Sequence, residues 1–252
     1  MKWLFAVLTF LIVGYLGAMG YIYFTQDDQI FDRCHCAPTK DGFYISNNNA
    51  KIWIETRNKG KEKALLYFPG NTEDAWDQID EIASNLPNHT IYFMHYRGYS
   101  KSSGKPSDKL IYSDDLKLYD TVAPKHKVID VIGRSLGTSS AVYVAANRAV
   151  NRLVLTTPFD SLVGPAKMKY PYFPIDALIK YPFPSSKFAP KISAKTLIIE
   201  CKDDQVVPNK STQKLIKSFD KSKPIVKIIS NTTHHSIVDN KEYFKYIDPF
   251  LR

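Results

Sequence analysis

One serine in the sequence stands in a setting that suits a nucleophile. Ser135 lies in a Gly-Arg-Ser-Leu-Gly motif at 133–137, which directly follows the apolar, β-branched run 128–132. A serine on a strained strand-to-helix turn presents its hydroxyl at the top of a sheet only if the residues two before and two after have almost no side chain. Gly133 and Gly137 meet that need. The motif predicts a nucleophile elbow; the alternative is a structural turn serine.

A serine hydroxyl at neutral pH needs a base within hydrogen-bond reach, and the base needs a partner that orients it. Two adjacent histidines, His234 and His235, follow the last predicted strand, and two acids, Asp203 and Asp204, follow the strand before it. Parallel strands bring these loops to the same sheet edge as Ser135. The other histidines lie in a polar stalk, before strands at the opposite edge, or ahead of the serine in the chain: His35, His89, His126 and His95.

Backbone donors for a developing oxyanion are also expected at this edge. The buried strand at 64–68 ends in a Pro-Gly-Asn-Thr loop, in which Gly70 allows the N–H of Asn71 to turn inward. Together with the N–H of Leu136, it would stabilise an oxyanion. The alternative is an ordinary turn between a strand and a helix.

The elements that position these residues alternate between strands and helices, which predicts an α/β fold with a mostly parallel sheet. A hairpin begins the sheet. The predicted strands are 42–46, 51–55, 64–68, 90–95, 127–132, 152–156, 195–200 and 225–229, and the predicted helices include 76–86, 110–122, 211–219 and 241–251. Residues 158–193 are rich in proline and aromatics and predict a small lid. Its aromatic residues either line an acyl or aryl pocket or pack the lid onto the sheet: Tyr170, Tyr172, Phe173, Tyr181 and Phe183.

The composition and charge of the chain limit the classes of partner and cofactor that we expect. The 252 residues suit one α/β domain, and the formal net charge is +9. The lysines are scattered and do not form a strip with aromatics, so we expect a basic solvated surface and no nucleic-acid partner. The segment Cys34-His35-Cys36 is too compact for the usual zinc spacing, and no second pair follows it. We expect no metal site and no cofactor.

An uncharged apolar run occupies residues 3–24, which is long enough to cross a bilayer as a helix. We interpret residues 1–25 as an uncleaved single-pass membrane anchor. The alternative is a signal peptide cleaved near Ala-Met-Gly at 18–20, but the apolar run continues past that site. A linker at 26–41 and a catalytic domain at 42–252 would follow. The charges on the two sides of the run favour neither orientation strongly, and we predict an extracytoplasmic catalytic domain.

Five segments, in chain order, resemble the successive signatures of the membrane-anchored α/β-hydrolases whose relatives include lysophospholipases, monoacylglycerol lipases and protein depalmitoylases. They are Phe-Pro-Gly-Asn at 68–71, Tyr-Arg-Gly-Tyr-Ser-Lys-Ser-Ser-Gly-Lys-Pro-Ser at 96–107, Gly-Arg-Ser-Leu-Gly at 133–137, Thr-Pro-Phe-Asp-Ser at 157–161 and Asp-Gln-Val-Val-Pro at 204–208. The resemblance covers the chain from about residue 42 to its end. It implies the α/β-hydrolase fold, with helices on both faces of the sheet.

The resemblance also distinguishes between the neighbouring candidates. It implies Ser135 as the nucleophile, Asp204 as the acid and His234 as the base, with His235 in the place after the base. Asp204 is preferred to Asp203 because it lies four residues before the proline of its motif. The sequence departs from the family pattern at four places: Pro69 replaces His, His95 replaces Asp, Glu200-Cys201 replaces His-Gly, and Thr233 replaces Gly.

The expected function is a serine hydrolase that cleaves carboxylic esters or thioesters through an acyl-enzyme intermediate. The apolar run and the aromatic lid suggest an acyl-chain or lipid-like substrate near a membrane. Two alternatives stay open. One is a non-catalytic, membrane-tethered binding module with the same fold, which the departures at Pro69 and Thr233 motivate. The other is a peptidase or amidase that uses the same site.

Overall fold

The computed structural model describes residues 1–31, 33, 41–71, 73 and 75–252, without the side chains of residues 75–77. Its strands are β1 (Gly42–Asn47), β2 (Ala50–Arg57), β3 (Lys63–Phe68), β4 (His89–Met94), β5 (Val128–Arg134), β6 (Arg152–Thr156), β7 (Lys195–Cys201) and β8 (Ile225–Ile229). They form one sheet in the order β1-β2-β4-β3-β5-β6-β7-β8.

The α-helices in the described part of the chain are α1 (Lys2–Phe24), α2 (Gln26–Ile30), α3 (Ala75–Asn85), α4 (Asp108–Val122), α5 (Gly137–Asn147), α6 (Val163–Lys169), α7 (Ile175–Leu178), α8 (Ser185–Phe188), α9 (Asn209–Ser218) and α10 (Lys241–Leu251). Short 3₁₀ turns lie at Ala123–Lys125, Ala189–Lys191 and Ser236–Asp239.

The predicted mostly parallel α/β sheet is confirmed. β2 pairs antiparallel with β1 and with β4, whereas the pairs from β4 across to β8 are parallel. The inner strands are buried on both faces, as expected when helices cover a parallel sheet. Apolar side chains of α4 and α5 pack on one face, and those of α3 and α10 pack on the other. The carboxyl ends of the parallel strands therefore meet at one edge.

The hairpin at the start of the sheet follows from its two-residue turn. Asn47 pairs with Ala50, and the residues between them, Asn48 and Asn49, both have positive φ angles of 46° and 58°. Asparagine tolerates this left-handed region better than most side chains do, and two such residues suit the turn that matches strand twist.

The amino-terminal helix α1 is long and apolar enough to cross a membrane, and its side chains are largely exposed. The sequence predicted an irregular linker after it, but residues 26–30 form α2 instead. The reason is tertiary packing: Gln26 is buried, and Phe31, which is 1% exposed, lies edge-on against the rings of Tyr181 and Phe183. The rest of the predicted linker, including Cys34, His35 and Cys36, lies almost wholly outside the described residues.

The predicted lid segment contains three short helices, α6, α7 and α8. Residues of α6 and α7 line the same cavity as Ser135, so these two helices lie above the carboxyl edge of the sheet, whereas Phe188 of α8 packs against Tyr143 of α5. The division of the chain into an anchor, a linker and a domain that includes this lid stays a prediction.

Candidate active site

Ser135 lies on the turn between β5 and α5 and has a φ of 46°, a conformation that L-residues rarely adopt. The neighbouring glycines allow this turn. A Cβ atom on Gly133 would collide with the Gly137 carbonyl and with Ala141, and a Cβ atom on Gly137 would collide with the Phe68 carbonyl. The chain therefore closes tightly around Ser135, and its hydroxyl is held at the sheet edge.

Ser135, His234 and Asp204 form a continuous hydrogen-bonded series. Ser135 Oγ lies 2.8 Å from His234 Nε2, and His234 Nδ1 lies 2.7 Å from Asp204 Oδ2. The other carboxylate oxygen of Asp204 accepts the backbone N–H groups of Val206 and Val207 at 2.8 and 2.7 Å. With its Nδ1 proton donated to Asp204, the His234 ring presents Nε2 as the acceptor for the serine hydroxyl.

The neighbouring candidates lie outside this series. Asp203 is exposed, and so is His235, whose ring lies edge-on against the ring of the buried His234 with centroids 5.4 Å apart. Partial desolvation lowers the pKa of His235, and the adjacent His234 ring adds to the effect. The main chain of His235 still has a partner, because its carbonyl oxygen accepts a hydrogen bond from Arg134 Nη2 at 2.9 Å.

The loop that carries His234 is fixed by a reciprocal cap. Thr233 N–H donates to Ser236 Oγ at 3.0 Å, and Ser236 N–H donates to Thr233 Oγ1 at 3.1 Å. These bonds satisfy backbone donors on both sides of His234 and begin the 3₁₀ turn. Thr233, where the family pattern has glycine, therefore supports the loop.

A buried ion pair beneath the elbow was not predicted from the sequence. Arg134 Nη1 lies 3.3 Å from Glu73 Oε2, and the two side chains are 7% and 0% exposed. Glu73 also accepts the Gly70 N–H at 2.6 Å and the Tyr67 hydroxyl at 2.5 Å. Through Arg134 and Glu73, the elbow is joined to the Gly70 loop and to the His235 carbonyl. The sequence did contain an indication of this pair, because an arginine at the end of a buried apolar strand needs a carboxylate partner.

The electrostatics around this pair favour the charged form of Arg134. Burial acts to lower the pKa of Arg134, but Glu73 together with the nearby Tyr67 and Tyr243 holds that pKa above its ordinary value. Burial raises the pKa of Tyr67 well above its usual range, and Glu73 adds to the rise. Burial likewise raises the pKa of Tyr243 to about 12. Both phenols are thus neutral and able to donate.

The two predicted oxyanion residues, Asn71 and Leu136, line the same cavity as Ser135. Gly70 lies against the serine: a Cβ atom on it would be 3.6 Å from Ser135 Cβ. No residue in the described part of the chain accepts the Leu136 N–H. The Asn71 side chain is fixed by the Tyr99 hydroxyl, which donates to its Oδ1 at 2.6 Å.

The remaining departures from the family pattern are buried and paired. The Pro69 carbonyl accepts the Tyr96 hydroxyl at 2.9 Å, and His95 Nε2 lies 3.4 Å from a carboxylate oxygen of Glu55. Cys201 Sγ is 3.1 Å from a main-chain carbonyl in the loop before His234. Burial raises the pKa of Glu200, which accepts a hydrogen bond from an amide of α9.

A cavity of about 600 Å³ opens above Ser135, a size typical of ligand sites. Most of the cavity wall is apolar. Residues of α1, of α2 and of the lid contribute to this wall. The apolar lining residues are Ile22, Ile30, Leu136, Phe159, Leu162, Pro165, Ala166, Met168, Ile175, Leu178, Ile179, Val206 and Val207, and the polar ones are Gln26, Gln29, Asn71, Ser135, Lys169, Tyr170 and Gln205.

Only one of the five aromatic residues predicted in the lid lines the cavity. Tyr170 lines the cavity, whereas Phe183 is fully buried in the core. Tyr181 packs against Phe31, and Phe173 stacks on α1. Tyr172 is 85% exposed.

No protein-family model matches the chain. It is 26% identical to an uncharacterized protein of Mycobacterium tuberculosis over 199 residues, which cover 76% of this chain and 70% of that one. It is 30% identical to lysophosphatidylserine lipase ABHD12 of Danio rerio over 198 residues, which cover 69% of this chain and 51% of the relative. The chain thus spans about half the length of the lysophosphatidylserine lipases that it matches.

Solved structures share the architecture at low sequence identity. An esterase of Pyrococcus furiosus superposes with a TM-score of 0.70 at 18% identity, covering 84% of this chain and 89% of that one. Est1E of Butyrivibrio proteoclasticus, solved with ferulic acid, gives a TM-score of 0.65 at 17% identity over 83% and 99% of the two chains. The chain has the α/β-hydrolase fold and belongs to the α/β-hydrolase superfamily.

Proposed function

We propose that the protein is a serine hydrolase that cleaves carboxylic esters or thioesters. The observation that carries the proposal is the series from Ser135 through His234 to Asp204, with contacts of 2.8 and 2.7 Å, at the floor of an apolar cavity. Lipase and esterase relatives support the same class of reaction.

The chemistry follows from the atoms in this series. His234 Nε2 removes the proton of Ser135 as Oγ attacks the substrate carbonyl, and Asp204 stabilises the imidazolium that forms. The N–H groups of Asn71 and Leu136 stabilise the oxyanion. His234 then gives its proton to the leaving alcohol or thiol, which departs from an acyl-enzyme on Ser135. A water molecule, activated by the same imidazole, releases the acid and restores the serine.

We further propose a substrate with an acyl chain, held at a membrane. The apolar wall of the cavity supports an acyl group, and α1 supports a single-pass anchor that keeps the domain beside a bilayer. The name of the relative, lysophosphatidylserine lipase, is consistent with a lipid ester. An extracytoplasmic orientation stays a prediction.

The alternative of a non-catalytic binding module was motivated by Pro69 and Thr233. Both residues make hydrogen bonds that support the loops around Ser135, so they no longer favour loss of activity. A peptidase or amidase would use the same atoms, and turnover of an ester compared with its matched amide distinguishes the two.

The first experiment is covalent labelling of the full chain in detergent by a fluorophosphonate, with intact mass and peptide mapping. We expect one adduct on Ser135, and no adduct in Ser135→Ala. Ser100→Ala is a matched control, because Ser100 also has a positive φ of 48° but lies in the loop after β4. A folded wild-type protein that takes up no label would contradict the proposed function.

A further inference from the structure

The wall of the cavity that lies opposite the sheet comes partly from the amino-terminal helices. Ile22, in the last turns of α1, lines the cavity and is 6% exposed, unlike most apolar side chains of that helix. Gln26, Gln29 and Ile30 of α2 continue the same wall. The segment that resembles a simple anchor in the sequence therefore forms part of the space above Ser135.

Specific hydrogen bonds attach this wall to the lid. Gln26 is buried, and its side-chain amide makes two bonds to the lid main chain: Nε2 donates to the Leu178 carbonyl at 2.7 Å, and Oε1 accepts the Lys180 N–H at 2.9 Å. Gln29 Oε1 accepts from the Tyr170 hydroxyl and from Lys169 Nζ. A flexible tether would not bury an amide with both of its polar ends paired to one partner segment.

The lid also contacts α1 nearer the amino terminus. The ring of Tyr15 stacks on Phe173 with centroids 5.1 Å apart, and its hydroxyl donates to the Tyr172 carbonyl at 2.9 Å. Tyr15 lies within the apolar run, and Tyr172 beside it is 85% exposed. A bilayer that surrounds α1 at this level also meets the tip of the lid.

We propose that α1 and α2 form the outer wall of an acyl-chain site, and that the chain of a membrane ester enters along α1 and beneath the lid, with its carbonyl at Ser135. This inference rests on the proposed function. An acyl chain on this path passes from hydrocarbon to an apolar cavity, so its transfer does not require exposure of the whole chain to water. The ligand class is a long-chain acyl ester or thioester taken from a lipid surface.

The direct test uses an alkyl fluorophosphonate with a long chain that ends in a diazirine. The full chain, in phosphatidylcholine vesicles, is labelled on Ser135, irradiated and digested, and the cross-linked peptides are mapped. We expect cross-links in residues 22–30 and in the lid helices α6 and α7. Cross-links confined to other parts of the chain, with none in 22–30, would overturn the inference.

A pair of variants gives an independent readout. Ile22→Trp places a larger side chain in the wall and so reduces the cavity, whereas Leu16→Trp adds a tryptophan at an exposed position of α1. We expect Ile22→Trp to slow labelling by a hexadecyl fluorophosphonate about tenfold or more relative to an ethyl fluorophosphonate, while Leu16→Trp leaves that ratio unchanged. Equal ratios in the two variants would contradict the proposal that α1 and α2 form the outer wall of an acyl-chain site. Failure of the ethyl probe to label the wild type would instead contradict the proposed function.

Discussion

The floor and the roof of the cavity are held together in different ways. The floor consists of the elbow and the loops after β3, β7 and β8, and its polar contacts are buried, such as the pair Arg134 and Glu73 at 7% and 0% exposure. The roof consists of α1, α2, α6 and α7. Its amino-terminal helices are joined to the lid by side chains that hydrogen-bond to the lid main chain. Apolar groups of the lid remain exposed, such as Met168 at 44% and Tyr172 at 85%.

This difference separates two tasks. Hydrogen bonds in a desolvated site are strong and directional, so the floor holds Ser135, His234 and Asp204 in one geometry. The roof presents mainly apolar surface, whose attraction to an acyl chain is non-directional and tolerates variation in the ligand. Changes in the floor should therefore affect every substrate, whereas changes in the roof should affect which substrates are accepted.

The largest expected effect is on the floor, at the acid. Asp204→Asn should lower turnover of a short-chain ester by about 10⁴, because an amide no longer holds the imidazole in the required tautomer. Asp203→Asn changes the adjacent, exposed residue and should leave turnover within about twofold, the range of surface substitutions. Steady-state kinetics on both variants measure the difference. Equal losses in the two variants would contradict the assignment of Asp204.

The second effect concerns the stability of the floor. Arg134→Met leaves Glu73 buried without its cation and should lower the free energy of unfolding by about 3–5 kcal/mol. In a chain of this size that corresponds to a fall in Tm of roughly 10 °C. The double variant with Glu73→Gln removes both charges and should recover part of the loss. Thermal unfolding in detergent measures all three proteins, and an Arg134→Met protein as stable as the wild type would show that the pair does not support the floor.

The smallest effect is on the roof. Gln26→Ala removes two hydrogen bonds to the lid, each worth about 0.5–1.5 kcal/mol. We expect turnover of a long-chain ester to fall by about tenfold, with a short-chain ester changed by less than about twofold. Asp28→Ala, at an exposed position of the same helix, should change neither. A loss of equal size on both esters would remove the distinction between floor and roof.

The floor could largely be predicted from the sequence because its constraints are local. The close approaches at Gly133 and Gly137 follow from sterics within a few residues of Ser135, and the apolar runs predict the strands that carry the loops. The choice of Asp204 and His234 over their neighbours required the family resemblance. The partner of Arg134 was missed because Glu73 lies 61 positions earlier in the chain.

The roof could not be predicted because its determinants are distant in sequence. Gln26 and Leu178 are 152 positions apart, and nothing in the four polar residues 26–29 after an apolar run indicates that the two glutamine amides bind a lid. Five residues are also too few to show helical periodicity, since isolated short helices depend on tertiary packing. The composition of residues 26–30 thus suggested a linker, although the residues are part of the cavity wall.

The contact between Tyr15 and the lid limits how the proposed anchor would sit in a bilayer. Residues 3–14, ahead of this contact, span only about 18 Å as a helix, whereas a hydrocarbon core is about 30 Å thick. If α1 is an anchor, as proposed, the chain would draw its lid toward the acyl region, thin the bilayer around it or let flanking residues snorkel, each at a modest energetic cost that depends on lipid length. Hydrophobic mismatch would then set how deeply the lid sits, so bilayer thickness would govern access to the cavity and favour some membranes over others.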